Sequence, residues 1–240
     1  MCIRDRIIAA QKGFEDVSAI LIDGKAKLDL EDGKGRSALW WAAKRGHKRA
    51  VELLQQEGAN PSTAVSRFAK KGHLEALKTL TESGIPLTVT NEDERTGLHI
   101  AARYGHLDVV KYYVEKGPDL RTRDIKGYTP LHRASGYGQI KVAKYLLEQG
   151  SKPNWEGKPN QWTPVSLAAR YGHLEILQML HRKGGDLNTL THKGWSPLML
   201  AAQGKKPLVV KYLLENDVDT ALQNIHKHTA LDIAFNLHYA

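Results

Sequence analysis

The chain has 240 residues, 41% of them hydrophobic, and a formal net charge of +9 at pH 7; that surplus favours acidic partners over basic ones. Its one cysteine, Cys2, excludes a disulfide framework and a cysteine-based zinc site, and fits a reducing, intracellular compartment, cytoplasm or nucleus. No apolar run approaches the ~20 residues that a membrane-spanning helix requires, and no apolar core of a secretory leader is expected at the N-terminus.

Residues 1–6 resemble translated adapter sequence, with an ordinary disordered tail as the alternative, and are set apart from fold reasoning. The first unit, 7–31, enters mid-helix at Ile7-Ile8-Ala9-Ala10, turns at Gly13 and predicts a second helix from about Glu15 to Asp23; its opening turn is missing. The second, 32–61, predicts a helix through Leu39-Trp40-Trp41-Ala42-Ala43 to Gly46 and another through Val51, Leu53 and Leu54 to Gly58. The third, 62–90, is degenerate: its helices survive through Val65, Phe68, Leu74, Leu77 and Leu80, but Gly46 to Gly72 is only 26 residues. Seven residues are therefore lost from a connecting turn, and a notch is expected there. Units 91–123 and 124–157 are regular. In the latter, Thr129 caps a helix with Pro130 at its first position, and Ile140, Val142, Ala143, Leu146 and Leu147 form the apolar stripe of a second helix before Gly150. Unit 158–190 follows one extra residue within 153–159. Unit 191–223 has Lys205 where its counterparts have glycine, so Gly204 is expected to take the left-handed turn one residue early. Unit 224–240 is partial and lacks a second helix; with the first unit it suggests a fragment of a longer array.

The spacing recurs. Gly13 to Gly46, Gly72 to Gly105 and Gly105 to Gly138 are each 33 residues, and Gly138 to Gly172 is 34. Around these glycines stand Ala42-Ala43-Lys44-Arg45-Gly46-His47, Ala101-Ala102-Arg103-Tyr104-Gly105-His106 and Ala168-Ala169-Arg170-Tyr171-Gly172-His173. With Thr-Gly-Leu-His at 96–99, Thr-Pro-Leu-His at 129–132 and Ser-Pro-Leu at 196–198, the chain resembles the ankyrin-repeat family over roughly residues 7–240. The resemblance implies an all-α solenoid of stacked helix-turn-helix units with β-turn or hairpin fingers, forming one array over 7–240. It further implies a monomeric interaction scaffold.

The residues offer little for catalysis. His47, His73, His106 and His173 follow helix-ending glycines, and His99 and His132 follow a turn leucine. Equivalent positions in stacked units lie ~8–10 Å apart, whereas zinc needs nitrogens at ~2.0–2.1 Å. These histidines are expected to satisfy backbone and threonine hydroxyl groups rather than a metal. His192, His226 and His228 are the weaker alternative for convergence. No serine lies in a Gly-x-Ser-x-Gly elbow, and Gly33-Lys34-Gly35-Arg36-Ser37 has the wrong spacing for a phosphate loop. No cofactor, metal or enzymatic activity is read.

In the ankyrin architecture the residue before the turn threonine, and the two before the helix-ending glycine, face the concave surface. The resemblance therefore assigns partner binding to Arg36, Arg95, Tyr128, Trp162, Trp195 and His228, and to Lys44, Arg45, Lys70, Lys71, Arg103, Tyr104, Tyr137, Arg170 and Tyr171. The row is basic early and aromatic later, the composition of interface anchors. The expected ligand is a protein or peptide, acidic with apolar anchors, lying in one concave groove. Nucleic-acid or anionic-surface binding by the same strip is the disfavoured alternative. A further alternative is a regulatory arm of a larger multidomain protein or a secreted bacterial effector.

Overall fold

The computed structural model describes residues 8, 10–12, 28–117, 119–158 and 160–236. The tail 1–6, the Gly13 turn and second helix of the first unit, and residues 237–240 lie outside the described residues. In chain order the helices are α1 (Ala38–Arg45), α2 (Lys48–Gln56), α3 (Ser62–Lys71), α4 (Leu74–Glu82), α5 (Gly97–Tyr104), α6 (Leu107–Glu115), α7 (Pro130–Gly136), α8 (Ile140–Glu148), α9 (Pro164–Tyr171), α10 (Leu174–Arg182), α11 (Pro197–Gln203), α12 (Pro207–Leu214) and α13 (Ala230–Asn236). β structure among the described residues is confined to the isolated bridges Thr90–Thr96 and Gly157–Trp162, which close two of the fingers.

Each helix is short enough to be marginal alone in water, so its limits are set by caps and its stability by packing. The first helices of several hairpins start on a side-chain cap, although α3, which follows Pro61, does not. Ser37 Oγ accepts from the Trp40 amide at 3.3 Å, Thr163 Oγ1 from Ser166 at 3.1 Å and Ser196 Oγ from Met199 at 3.3 Å. Thr129 and His132 close a reciprocal capping box. Left-handed glycines then turn the chain, with φ of 80° at Gly46, 70° at Gly72 and 84° at Gly172. The seventh unit corrects the sequence expectation. Gly204 is right-handed, with φ −74°, and Lys205 itself is left-handed, with φ 52°. The amides of Lys205 and Lys206 bond the carbonyls of Ala202 and Ala201, the pattern that Gly46 and His47 make to Ala43 and Ala42. The helix register fixes which position must be left-handed, and the lysine adopts it.

The chain groups into two compact units, one of Met1–Ala101 with Asp108–Pro118, the other of Ala102–Leu107 with Asp119–Ala240. In the first, α1 pairs with α2 and α3 with α4, and the hairpins stack α1 on α3 and α2 on α4. In the second, α7, α9, α11 and α13 form an inner row, and α8, α10 and α12 an outer one. Alanines at the inner contacts, among them Ala42, Ala43, Ala64, Ala69, Ala168 and Ala169, are fully buried and let the helices approach closely. Outer helices bury one stripe only, as Ile176, Leu177 and Leu180 do on α10. In the fourth repeat the first helical position is Gly97 rather than proline because the Tyr113 ring, itself buried, occupies the space a side chain would need.

Candidate interaction surface

His132, His99 and His47 bond backbone and threonine groups, as their positions suggest. His132 is buried; its Nδ1 accepts from the Thr129 amide at 3.2 Å and hydroxyl at 2.8 Å, leaving Nε2–H to donate to the Trp162 carbonyl at 3.0 Å. Burial pushes its pKa down to about 4, the hydrogen bonds to backbone opposing. His99 repeats the contact to Thr96 Oγ1 at 2.9 Å, and His47 Nε2 meets the Gln11 carbonyl at 3.2 Å. His226 and His228 lie with ring centroids 6.2 Å apart, both exposed. Among the described residues no group of three or more His, Cys, Asp or Glu is placed to hold a metal.

In the first unit the sequence-assigned residues are Arg36, Lys44, Arg45, Lys70, Lys71 and Arg95. Arg36 is half-buried on the finger, its Nε on Asp32 at 2.7 Å and its guanidinium 4.4 Å from the Trp41 ring centroid. Lys44 and Arg45 are exposed in the last turn of α1, and Lys70 and Lys71 in that of α3, where cations complement the helix C-terminus. Arg95 is half-buried and paired with Asp93 at 2.6 Å. Arg36, Lys70 and Lys71 come together in a cleft of about 670 Å³, whereas Lys44, Arg45 and Arg95 stay outside it. Lys34 and Arg67 also line this cleft and were not picked out from the sequence. Arg67, Lys70 and Lys71 share one face of α3 by their spacing, the signal that would have found Arg67.

In the second unit Tyr128, Trp162, Arg170, Tyr171 and Trp195 line a cleft of about 360 Å³, with Gln203, His192 and Lys193 on its rim. Tyr171 is 51% exposed, and Trp162 and Trp195 are half-buried. Arg170 sits 5.8 Å from the Trp162 ring centroid and donates to Gln203 Oε1, which orients the guanidinium, all three residues lining the cleft. Tyr128 is more embedded: it stacks on His132 at 5.2 Å, lies under Arg133 at 5.0 Å, and packs against Gly157 where any side chain would collide. Its role is partly to prop the neighbouring finger. Arg103, Tyr104 and Tyr137 form a separate cluster, the guanidinium 5.4 Å from Tyr104 and 4.4 Å from the exposed Tyr137. His228 joins neither group.

Capped helical hairpins in tandem, with arginine and aromatic side chains gathered on their finger side, are the build of a repeat-type interaction module. A family model described as ankyrin repeats, in three copies, matches residues 6–65, 63–156 and 165–239. The chain belongs to the ankyrin-repeat family. It is 38% identical over 76 residues to ankyrin repeat and SAM domain-containing protein 6 of Mus musculus, covering 31% of this chain and 9% of that protein. It is 35% identical over 72 residues to protein phosphatase 1 regulatory subunit 12A of Mus musculus, covering 30% and 7%. It is 44% identical over 48 residues to the NAD-capped RNA hydrolase NUDT12 of Macaca fascicularis, covering 20% and 10%. The chain thus spans a tenth or less of these relatives. Ankyrin repeats generally mediate protein–protein interaction and are generally non-enzymatic. No helix among the described residues is long and apolar enough to cross a membrane.

Proposed function

We propose that this chain is a protein-binding scaffold without catalytic activity of its own, acting inside the cell. Its contacts are the basic set Arg36, Lys44, Arg45, Lys70, Lys71 and Arg95 in the first unit. In the second they are the aromatic and arginine set Arg103, Tyr104, Tyr128, Tyr137, Trp162, Arg170, Tyr171, Trp195 and His228. The ligand is a protein segment with acidic groups and apolar anchors.

The observation that carries this reading is the second-unit cleft. Trp162, Trp195 and Tyr171 keep ring surface accessible around an arginine that is already oriented. Tryptophan, tyrosine and arginine are the residues that most often dominate binding energy. Replacing Trp162 and Trp195 together by alanine is expected to remove partner capture from a cell extract while leaving the helical circular-dichroism spectrum in place. Undiminished capture would contradict the reading. A salt titration separates the nucleic-acid alternative, whose affinity would fall steeply with ionic strength; an aromatic-anchored protein complex is expected to persist. The likeness to a phosphatase regulatory subunit supports a role as the recognition arm of a longer protein.

A further inference from the structure

The missing finger of the third repeat leaves a lined space. Elsewhere in the first unit the fingers are closed turns: the Asp32 amide bonds the Arg36 carbonyl at 3.0 Å, and the Asn91 amide bonds the Arg95 carbonyl at 3.1 Å. Between α2 and α3 the chain runs only through Glu57–Pro61, with the Asn60 amide on Asp29 Oδ1 at 2.7 Å and the Ser62 amide on Asn60 Oδ1 at 2.9 Å. No turn projects there. The cleft of about 670 Å³ occupies that place, within the ~300–1,000 Å³ range of ligand sites.

Its lining is not that of a folding core. Lys34, Arg36, Arg67, Lys70 and Lys71 face it together with Glu92 and Asp93. Arg36 is held by Asp32 at 2.7 Å and Arg67 lies 3.9 Å from Glu31, so the surplus positive charge sits on the exposed Lys34 and Lys71. Asp93 already answers Arg95 at 2.6 Å. Arg67 is drawn to one lip by a 2.9 Å bond from Nη1 to the Lys34 carbonyl, and Ser62, Thr63 and Ser66 supply hydroxyls to the floor. Trp40, stacked on Phe68 at 5.3 Å, closes one side. A wall of cations and hydroxyls, two of the cations held in place by Asp32 and the Lys34 carbonyl, suits carboxylates. An α-helix with its side chains is ~10–12 Å across, wider than the ~8–10 Å that one repeat step supplies, so a turn fits the gap better than a helix.

We propose that this cleft receives an acidic loop of a partner protein, entering where the third finger is missing. The choice of a protein partner rests on the scaffold reading above, but the cleft is distinct from the Trp162–Trp195 site and is tested apart from it. The probe is a labelled cyclic peptide whose Asn-Gly turn is flanked by glutamates, titrated by fluorescence anisotropy against the full chain, with the glutamine counterpart as control. The glutamate peptide is expected to bind, and the glutamine peptide to bind about tenfold more weakly or worse. Two variants are expected to lose the glutamate peptide by a similar factor: Lys70→Gln with Lys71→Gln, and an insertion ahead of Ser62 that restores the regular repeat length and fills the gap. The exposed lysine pair keeps the test valid if the insertion fails to fold. Trp162→Ala with Trp195→Ala is expected to retain the peptide, so failure of the aromatic site and failure of this one are distinguishable. The proposal is overturned by equal binding of the glutamine peptide or by full binding to a folded insertion variant. Tighter binding of a single-stranded oligonucleotide than of the peptide would also overturn it.

Discussion

Asp124 ties the fifth repeat together at the level of one side chain. Fully buried, it accepts the Lys126 and Tyr128 amides on Oδ1 at 2.9 and 3.1 Å and Arg133 Nε on Oδ2 at 2.8 Å. Arg133→Ala leaves a carboxylate buried with one cationic partner removed, a change that costs about 3–5 kcal/mol in comparable pairs; urea denaturation is expected to show a loss of that size. His132 supplies the second residue-scale prediction. Its folded-state pKa of about 4 lies below the ordinary histidine value of 6.5, so between those pH values the unfolded chain takes up a proton that the folded chain refuses. Stability is whole above pH 6.5 and falls as the pH drops toward 4. At pH 5 the loss is about 2 kcal/mol relative to pH 7.5, and His132→Gln is expected to shrink that difference. An unchanged pH dependence would count against the buried neutral tautomer. At this scale the sequence was only partly legible. Thr129, Pro130 and His132 declared a cap, but nothing in the order of residues paired Asp124 with Arg133, which meet because the finger folds back over the helix.

At the scale of an element, the helix boundaries were legible wherever a left-handed glycine or a Thr/Ser cap marks them. Lys205 shows where that ends. The expectation that Gly204 would turn the chain used residue preference alone, whereas the hydrogen-bond register of α11 selects the position and Lys205 bears the left-handed strain. Lys205→Gly is expected to stabilise the chain by about 0.5–1 kcal/mol, read as a higher melting temperature. No gain would mean that a contact of the lysine offsets the backbone cost. The third repeat was legible as a deletion because its period is short. What fills the gap was not: nothing in the order of residues singled out Arg67, and only the fold carries it across to the Lys34 carbonyl.

For the whole molecule, the net charge of +9 favours acidic partners over basic ones, which is the bias the proposed ligand takes up. The repeat period made the family legible, since stacking demands that equivalent positions recur. The candidate site was legible only as a set of positions, because the sequence cannot say which of them converge. Tyr128, Trp162, Arg170, Tyr171 and Trp195 do, while Arg103, Tyr104 and Tyr137 form their own cluster and His228 stands apart. The most direct test is photo-crosslinking from the full chain in extract of its source cells. A benzophenone side chain is placed at Tyr171 or Trp195 and, as the comparison, at exposed Lys144 on α8. The account predicts a discrete covalent adduct with a protein from Tyr171 and Trp195 and little from Lys144. Equal adducts from all three positions, or none from the aromatic cleft, would contradict it.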